Sequence, residues 1–452
     1  MTSSRRKFLN YSFKTMAAGG ASGVLGRLGT MNAYAASNSD YKALVGVFLF
    51  GGNDPHNTLI PLSTQKNTYQ DYSTIRGQIA IPQSDLWPIS AGAGEAYGLH
   101  PKLKEIQSLF GLGKAAFLAN VGNLVVPTTR QQYLGQSVKL PQSLFSHSSQ
   151  QAQWQTASAT DVATTGWGGR AADLLGPMNA PSQFPMIVNL GGGSQFSTGM
   201  QSNPAIIPPG GPVTLRPTPL AARTTAFNQL LSFSNGLQLV QASNTVTKRG
   251  INDAAILQLA LDSTPPLQTP FPTTPLGAQL KMVAQIVAVR NALGMNRQMF
   301  FVTLGGFDTH SSQLYSHEVL LEDVSKSLSA FYVATMEMGV ADSVTAFTNS
   351  EFGRTLQPSS GYGTDHAWGS HAMIVGGAVK GGQIHGTFPT LALGGPDDAN
   401  SRGTMIPTAS IEQYGATLAK WFGVPVDHLP RIFPTLSNFP TSDLGFMSSP
   451  VP

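Results

Sequence analysis

Six short apolar runs punctuate the chain, and each of them stops at glycine or a polar cluster. The first, YKALVGVFLFGGND, covers residues 41–54. Residues 114–122, 184–193, 297–310, 342–354 and 371–379 repeat its form. The runs are continuous rather than alternating, which predicts strands covered on both faces, as in an α/β sheet. Helical spacing, with apolar residues at i, i+3, i+4 and i+7, fills residues 275–293 and 314–339, and Gly339 stands where a C-terminal cap is expected. Residues 410–424 open on Ser410, in position for an N-cap. Strand–helix–strand alternation predicts a doubly wound, mostly parallel sheet with helices on both faces. Residues 202–224 are rich in Pro and Gly, and a mostly helical stretch follows to about Leu261. The expectation is that residues 200–275 form an insertion or cap over the sheet. A long loop plus ordinary sheet-covering helices fits the same pattern.

Composition sharpens this picture. Charged residues make up 11% of the 452, against about 25% in typical soluble domains, so clusters of charge stand out. With 41% hydrophobic residues the chain can bury a sizeable core. Cysteine is absent, so packing or a bound ion has to do what disulfides do elsewhere.

The amino terminus adds a destination. Arg5-Arg6 is followed by Phe8 and Leu9, then a weakly apolar Ala/Gly-rich stretch, then Ala33-Tyr34-Ala35 in small-x-small form. This predicts a twin-arginine (Tat) export signal over residues 1–35, a mature domain over residues 36–452, the Tat translocase as export partner, and a periplasmic or secreted product. Removing that segment takes Arg5, Arg6, Lys7, Lys14 and Arg27 and no acid, which moves the formal charge from +4 to −1. The basic balance thus belongs to the signal, and no basic patch argues for nucleic acid. No other stretch approaches the roughly 18 apolar residues of a membrane span.

Ligands in open α/β sheets bind outside the carboxyl ends of the strands. Four polar clusters occupy such positions. Gly51-Gly52-Asn53-Asp54 follows the first run, Gly305 to His310 another, and Asn349 to Arg354 a third, while Gly363 to His366, with His371, precedes the last. Carboxylates gathered at one edge repel unless a cation or proton intervenes. Asp54, Asp308, Glu351 and Asp365 with His310, His366 and His371 make an oxygen/nitrogen set suited to one or two divalent ions. Zn, Mn, Fe and Mg all qualify, and imidazole favours the first three. Duller roles exist for each: Asp54 as a turn or helix cap, Glu351 and Arg354 as a surface ion pair at a helix start, the histidines as solvated side chains. His147 lies between Ser146 and Ser148 at an expected helix start, where free N–H groups favour an anion or an activated hydroxyl, and where hydroxyl capping is the ordinary alternative. His100, His317, His385 and His428 have no polar company and are expected to be structural.

The strings FLFGGNDPHNTLIPL, FSHSSQQAQWQ, TGWGGR, GGFDTH, SEFGR and GTDHAWGSH, with the twin-arginine start, resemble the domain-of-unknown-function family 1501 over roughly residues 43–425. That family is grouped with the alkaline phosphatase and sulfatase superfamily. The resemblance implies an alkaline phosphatase-like α/β core, one or two divalent metals, and a hydroxyl at a helix start that attacks phosphorus or sulfur. It implies Ser146 as nucleophile, with Ser148 or Thr128 as rivals, and His147 beside it. Asp54, Asp308, His310, Glu351 and His366 or His371 fall at metal-ligand positions, and Arg354 is placed to steady an anionic small-molecule or glycan substrate. The chain departs from the pattern at Glu351-Phe352-Gly353, where Asp-His-Gly would stand, so Phe352 removes one ligand. The absence of Cys argues against a formylglycine sulfatase. A non-catalytic binding or assembly protein on the same scaffold is the alternative expectation.

Overall fold

The computed structural model describes residues 40–448 apart from 93, 161–162, 216–220 and 235. The twin-arginine segment and Ala33–Ala35 lie outside the described residues. Twelve strands are described: β1 (Lys42–Leu49), β2 (Leu59–Ser63), β3 (Trp87–Ser90), β4 (Ala96–Leu99), β5 (Ala115–Gly122), β6 (Ile187–Asn189), β7 (Ala205–Ile206), β8 (Arg297–Leu304), β9 (Val344–Ser350), β10 (Ser370–Gly376), β11 (Ile384–Gly386) and β12 (Ala409–Ser410). Nine of them form one sheet in the order β11-β5-β10-β9-β1-β8-β6-β7, with β12 also paired to β5. β2, β4 and β3 form a small antiparallel sheet beside it. The fold is mixed α/β with a mostly parallel central sheet. The helices that matter below are α1 (Pro55–Thr58), α2 (Tyr69–Arg76), α3 (His147–Thr156), α4 (Ala221–Ser232), α5 (Gln238–Asp262), α6 (Pro275–Ala288), α7 (Gln313–Glu337) and α8 (Ile411–Phe422).

β1 is the centre strand, and the continuous apolar run explains why. Seven of its eight residues are buried, and it pairs in parallel with β8 and β9 on either side. Leu49 stands level with both Leu304 and Ser350. Three parallel strands therefore end flush, and their exit loops leave at one edge. Gly51 turns the first loop at φ +116°, and a Cβ there would lie 2.2 Å from the Asp308 amide nitrogen, so only glycine fits that approach.

One strand departs from the parallel expectation. β10 runs antiparallel to both β9 and β5. Its amino end therefore enters at the edge where the parallel strands exit, and brings the preceding loop, with Asp365 and His366, to the same place. Trp368, fully buried, pins that loop by donating from Nε1 to the Asn123 carbonyl at 2.7 Å. The run at residues 184–193 is strand only over β6, although the Leu190 amide still donates to the Phe301 carbonyl at 3.0 Å.

In the 200–275 region, β7 adds an edge strand beside β6, and α4 and α5 then project as a helical hairpin. α4 has no buried residue, and burial on α5 begins at Asp253. Ser410 caps α8 as expected, in a reciprocal capping box with Gln413. No helix among the described residues is long and apolar enough to cross a membrane.

Candidate metal centre

Three connections deliver the site, the one between β9 and β10 with both its ends. His147 is the first residue of α3, a ten-residue helix whose preceding loop is strained: Ser143 (φ +48°) and Phe145 (φ +71°) are non-glycine residues in the left-handed region. Such strain concentrates at functional sites. Asp308 and His310 lie beyond β8, Glu351 and Arg354 beyond β9, and Asp365 and His366 ahead of β10.

The imidazoles are held by their Nδ1 atoms. His366 Nδ1 faces the Phe145 carbonyl at 2.8 Å, and a carbonyl only accepts, so that nitrogen carries the proton. His147 Nδ1 donates to Glu351 Oε1 at 2.9 Å, and His310 Nδ1 to Asp365 Oδ1 at 3.3 Å. All three Nε2 lone pairs are thereby free, and they face one region. His310 and His366 bring Nε2 atoms 3.0 Å apart, at 3.1 and 3.2 Å from Asp308 Oδ1. His147 Nε2 lies 3.4 Å from Asp308 Oδ2. The ligand atoms of His147, Asp308 and His366 all fall within 4.8 Å of one another. Neutral imidazoles protonated at Nδ1 offer each other only lone pairs, which repel unless a cation or an added proton lies between. In a tetrahedral shell with bonds of about 2.0–2.1 Å, neighbouring ligand atoms stand about 3.3 Å apart. The donor set and its spacing fit a divalent ion.

Charge around the cluster favours the carboxylate. Burial works to raise the Asp308 carboxyl, but the Arg354 guanidinium outweighs it and holds it below its usual range. Arg354 is fully buried and donates from Nη1 to Asp308 Oδ1 at 2.9 Å. Burial lowers His366 and favours its neutral ring; the hydrogen bond to the Phe145 carbonyl works the other way, and Arg354 adds to the lowering. Phe352 walls the site: its ring stacks on His366 at 4.5 Å between centroids and lies 4.9 Å from His147. Ser146 precedes α3 and makes no capping hydrogen bond, so the ordinary role for a hydroxyl there is not taken up. Its Oγ lies 3.4 Å from Ser148 Oγ.

The other expected ligands stand elsewhere, for physical reasons. Asp54 is fully buried, with Oδ1 accepting from the His56 amide at 3.0 Å and Oδ2 taken by Arg76 and Gln313. Burial opposes its charge, yet Arg76 wins and holds the carboxyl below its usual range. Both oxygens are used, so Asp54 is a corrected assignment. Glu351 orients rather than joins: Oε1 accepts from His147 Nδ1, from the Gly51 amide at 2.8 Å and from Gln151 at 3.0 Å. Asp365 likewise sits behind His310, steadied by Arg402 at 2.7 Å. His371 is buried on β10, where its Nδ1 accepts from the Asn120 amide at 3.0 Å and burial pushes the ring down to about 3. The expected Glu351–Arg354 helix start is absent: the backbone either side of Arg354 pairs with that of Asp365 and Ala367, and the Arg354 side chain pairs with Asp308. Sequence reasoning missed Gln313, Thr309, Thr364, Arg76 and Arg402, whose residue types carry no signal outside this geometry.

A mixed α/β domain with a His/Asp cluster at the carboxyl edge of its sheet defines the class. The chain belongs to the family described as "Protein of unknown function (DUF1501)", whose model matches residues 41–410. No curated protein matches it. Among solved structures, "Ps i-CgsB in complex with k-i-k-neocarrahexaose" is 9% identical, with 88% of this chain and 77% of that chain covered at a TM-score of 0.34. The lipoteichoic acid synthase LtaP from Listeria monocytogenes is 8% identical, with 83% and 75% covered at 0.31. BT1596, titled a 2-O GAG sulfatase, is 10% identical, with 87% and 74% covered at 0.29.

Proposed function

We propose that this chain is a metal-dependent hydrolase of phosphate or sulfate esters, exported by the Tat route to the periplasm or beyond. One observation carries the reading: the Nε2 atoms of His147 and His366 converge with the Asp308 carboxylate, His310 Nε2 stands against His366 and Asp308, and every Nδ1 is already engaged. His147, Asp308, His310 and His366 would hold the ion, and their nitrogen-rich set favours Zn, Mn or Fe over Mg. When bound, such an ion stabilises the negative charge that develops on ester oxygens. Arg354 holds Asp308 ionised, and Glu351, Asp365 and the Phe145 carbonyl fix the imidazole tautomers. Arg402, 41% exposed at the rim, gives an anionic substrate a cation to approach. Ser146, whose hydroxyl makes no capping bond and faces that of Ser148, attacks phosphorus or sulfur and displaces the alcohol, and water then frees the serine.

A specific observation favours a second reading, a binding protein for an anionic or glycan ligand. Among the described residues, no imidazole or carboxylate hydrogen-bonds the Ser146 hydroxyl to activate it. Elemental analysis of the mature protein, followed by assays with chromogenic phosphate mono- and diesters and a sulfate ester, separates the two. Turnover that falls at least a thousandfold in Asp308→Ala and in Ser146→Ala supports the hydrolase. A stoichiometric ion without turnover supports the binding protein, and no ion at all sinks the hydrolase.

A further inference from the structure

The two loops that carry most of the cluster share one buried side-chain amide between them. Gln313, the first residue of α7, is wholly buried. Its Oε1 accepts from the Thr309 hydroxyl at 3.0 Å and from the Thr364 hydroxyl. Thr309 lies between Asp308 and His310, and Thr364 immediately precedes Asp365 and His366. One oxygen thus ties together the loop that leaves β8 and the loop that enters β10. The backbones meet at the same point, where the Thr364 amide donates to the Thr309 carbonyl at 3.0 Å.

The amide is itself aimed from behind. Its Nε2 donates to Asp54 Oδ2, which is shared with Arg76 in a fully buried ion pair. Arg76 is anchored further by the Thr355 and Leu356 carbonyls at 3.0 and 3.1 Å and by Asn57 Oδ1 at 3.1 Å. A carboxylate accepts only, so the amide nitrogen must face Asp54 and the amide oxygen must face the threonines. The Asp54 charge therefore decides which way Gln313 points. Strain marks the join as well: Ser312 and Tyr362 are non-glycine residues at φ +49° and +58°, and the Ser312 amide donates to the Gly361 carbonyl at 3.1 Å.

We propose that Gln313 is a positioning residue that sets the register of the Asp308/His310 loop against the Asp365/His366 loop, with Asp54 acting through it. The proposal rests on the metal-site reading above. It gives Asp54 a function without ligation: a buried charge that orients an amide, which orients two hydroxyls, which orient the ligands. Outer partners of this kind typically change metal affinity by about 10–100-fold.

The test uses the full chain as Gln313→Leu, Thr364→Val and Thr364→Ser, with two measurements: Zn²⁺ affinity by competition with a chromogenic chelator, and amide hydrogen exchange at residues 308–310 and 364–366 in metal-free protein. Gln313→Leu and Thr364→Val are expected to weaken Zn²⁺ at least tenfold and to lose protection at the Thr364 amide. Thr364→Ser, which keeps the hydroxyl, is expected to match the parent in both. If Gln313→Leu does not fold, the Thr364 pair decides alone. Equal affinity and equal protection in Val and Ser variants overturn the proposal. A parent chain that binds no Zn²⁺ defeats the metal reading instead, and the exchange data then decide the loop register independently.

Discussion

Glu351 shows how one residue can matter without touching an ion. Its Oε1 collects three donors, from His147, Gly51 and Gln151, and it is fully buried. Glu351→Gln keeps an acceptor of the same shape but removes the charge that fixes the His147 tautomer. The expected outcome is a metal affinity weakened by about 10–100-fold with thermal stability little changed, read by chelator competition and calorimetry. Glu351→Ala strips partners from all three donors and should cost on the order of 2–4 kcal/mol in denaturant titrations. At this scale the sequence was partly legible. Asp308, His310 and His366 were visible because acids and imidazoles are scarce in this chain and these stand at strand ends. His147 was visible as a helix-start residue, though not as a member of the cluster. Asp54 and His371 were misplaced, because residue type and strand-end position do not reveal which way a side chain turns. An arginine on α2 captured the first, and the pairing of β10 with β5 buried the second.

Strand ends decide which loops meet. β1, β8 and β9 finish level, so the spacing between their exits is set by the sheet rather than by the loops. Gly51 is the tightest of these exits, with a Cβ position 2.2 Å from the Asp308 nitrogen and 2.7 Å from the Phe307 carbonyl carbon. Gly51→Ala must push the Asp308 loop outward or abandon φ +116°, and should cost on the order of 3 kcal/mol or more. Metal affinity should fall with it, more steeply than stability, in paired calorimetry and chelator titrations. The apolar runs announced where β1, β5, β8, β9 and β10 begin to within two residues, since burial on both faces leaves a continuous pattern. Strand direction was not legible, because period and composition are the same for a strand run either way. That is why the entry of β10, rather than an exit, supplies His366.

Across the whole molecule, buried histidines govern the response to acid. Burial pushes His56, His100 and His371 down to about 3 and His317 to about 4. Below about pH 6.5 the unfolded chain takes up protons that the folded chain refuses, so stability present above that pH is lost as pH falls. Each such histidine costs about 1.4 kcal/mol per pH unit, against a typical total of about 5–15 kcal/mol. Cooperative unfolding is therefore expected between about pH 5 and pH 4, monitored by circular dichroism. His100→Phe, which removes one of the four imidazoles, should move that midpoint downward. Glu412 works in the opposite direction: burial raises it to about 7, so its contribution is full below its ordinary 4.5 and lost toward neutrality.

The helical hairpin of α4 and the first half of α5 stands apart from this balance. No charged residue occurs from Thr224 to Thr247, and Leu230 and Leu239 are 68% and 83% exposed. Replacing residues 221–250 by a short Gly/Ser linker should leave the melting temperature within a few degrees of the parent. The hairpin is in effect a detachable limb. Whatever behaviour vanishes with it, whether self-association or adhesion to a surface, belongs to the limb and not to the chemistry at the sheet's edge.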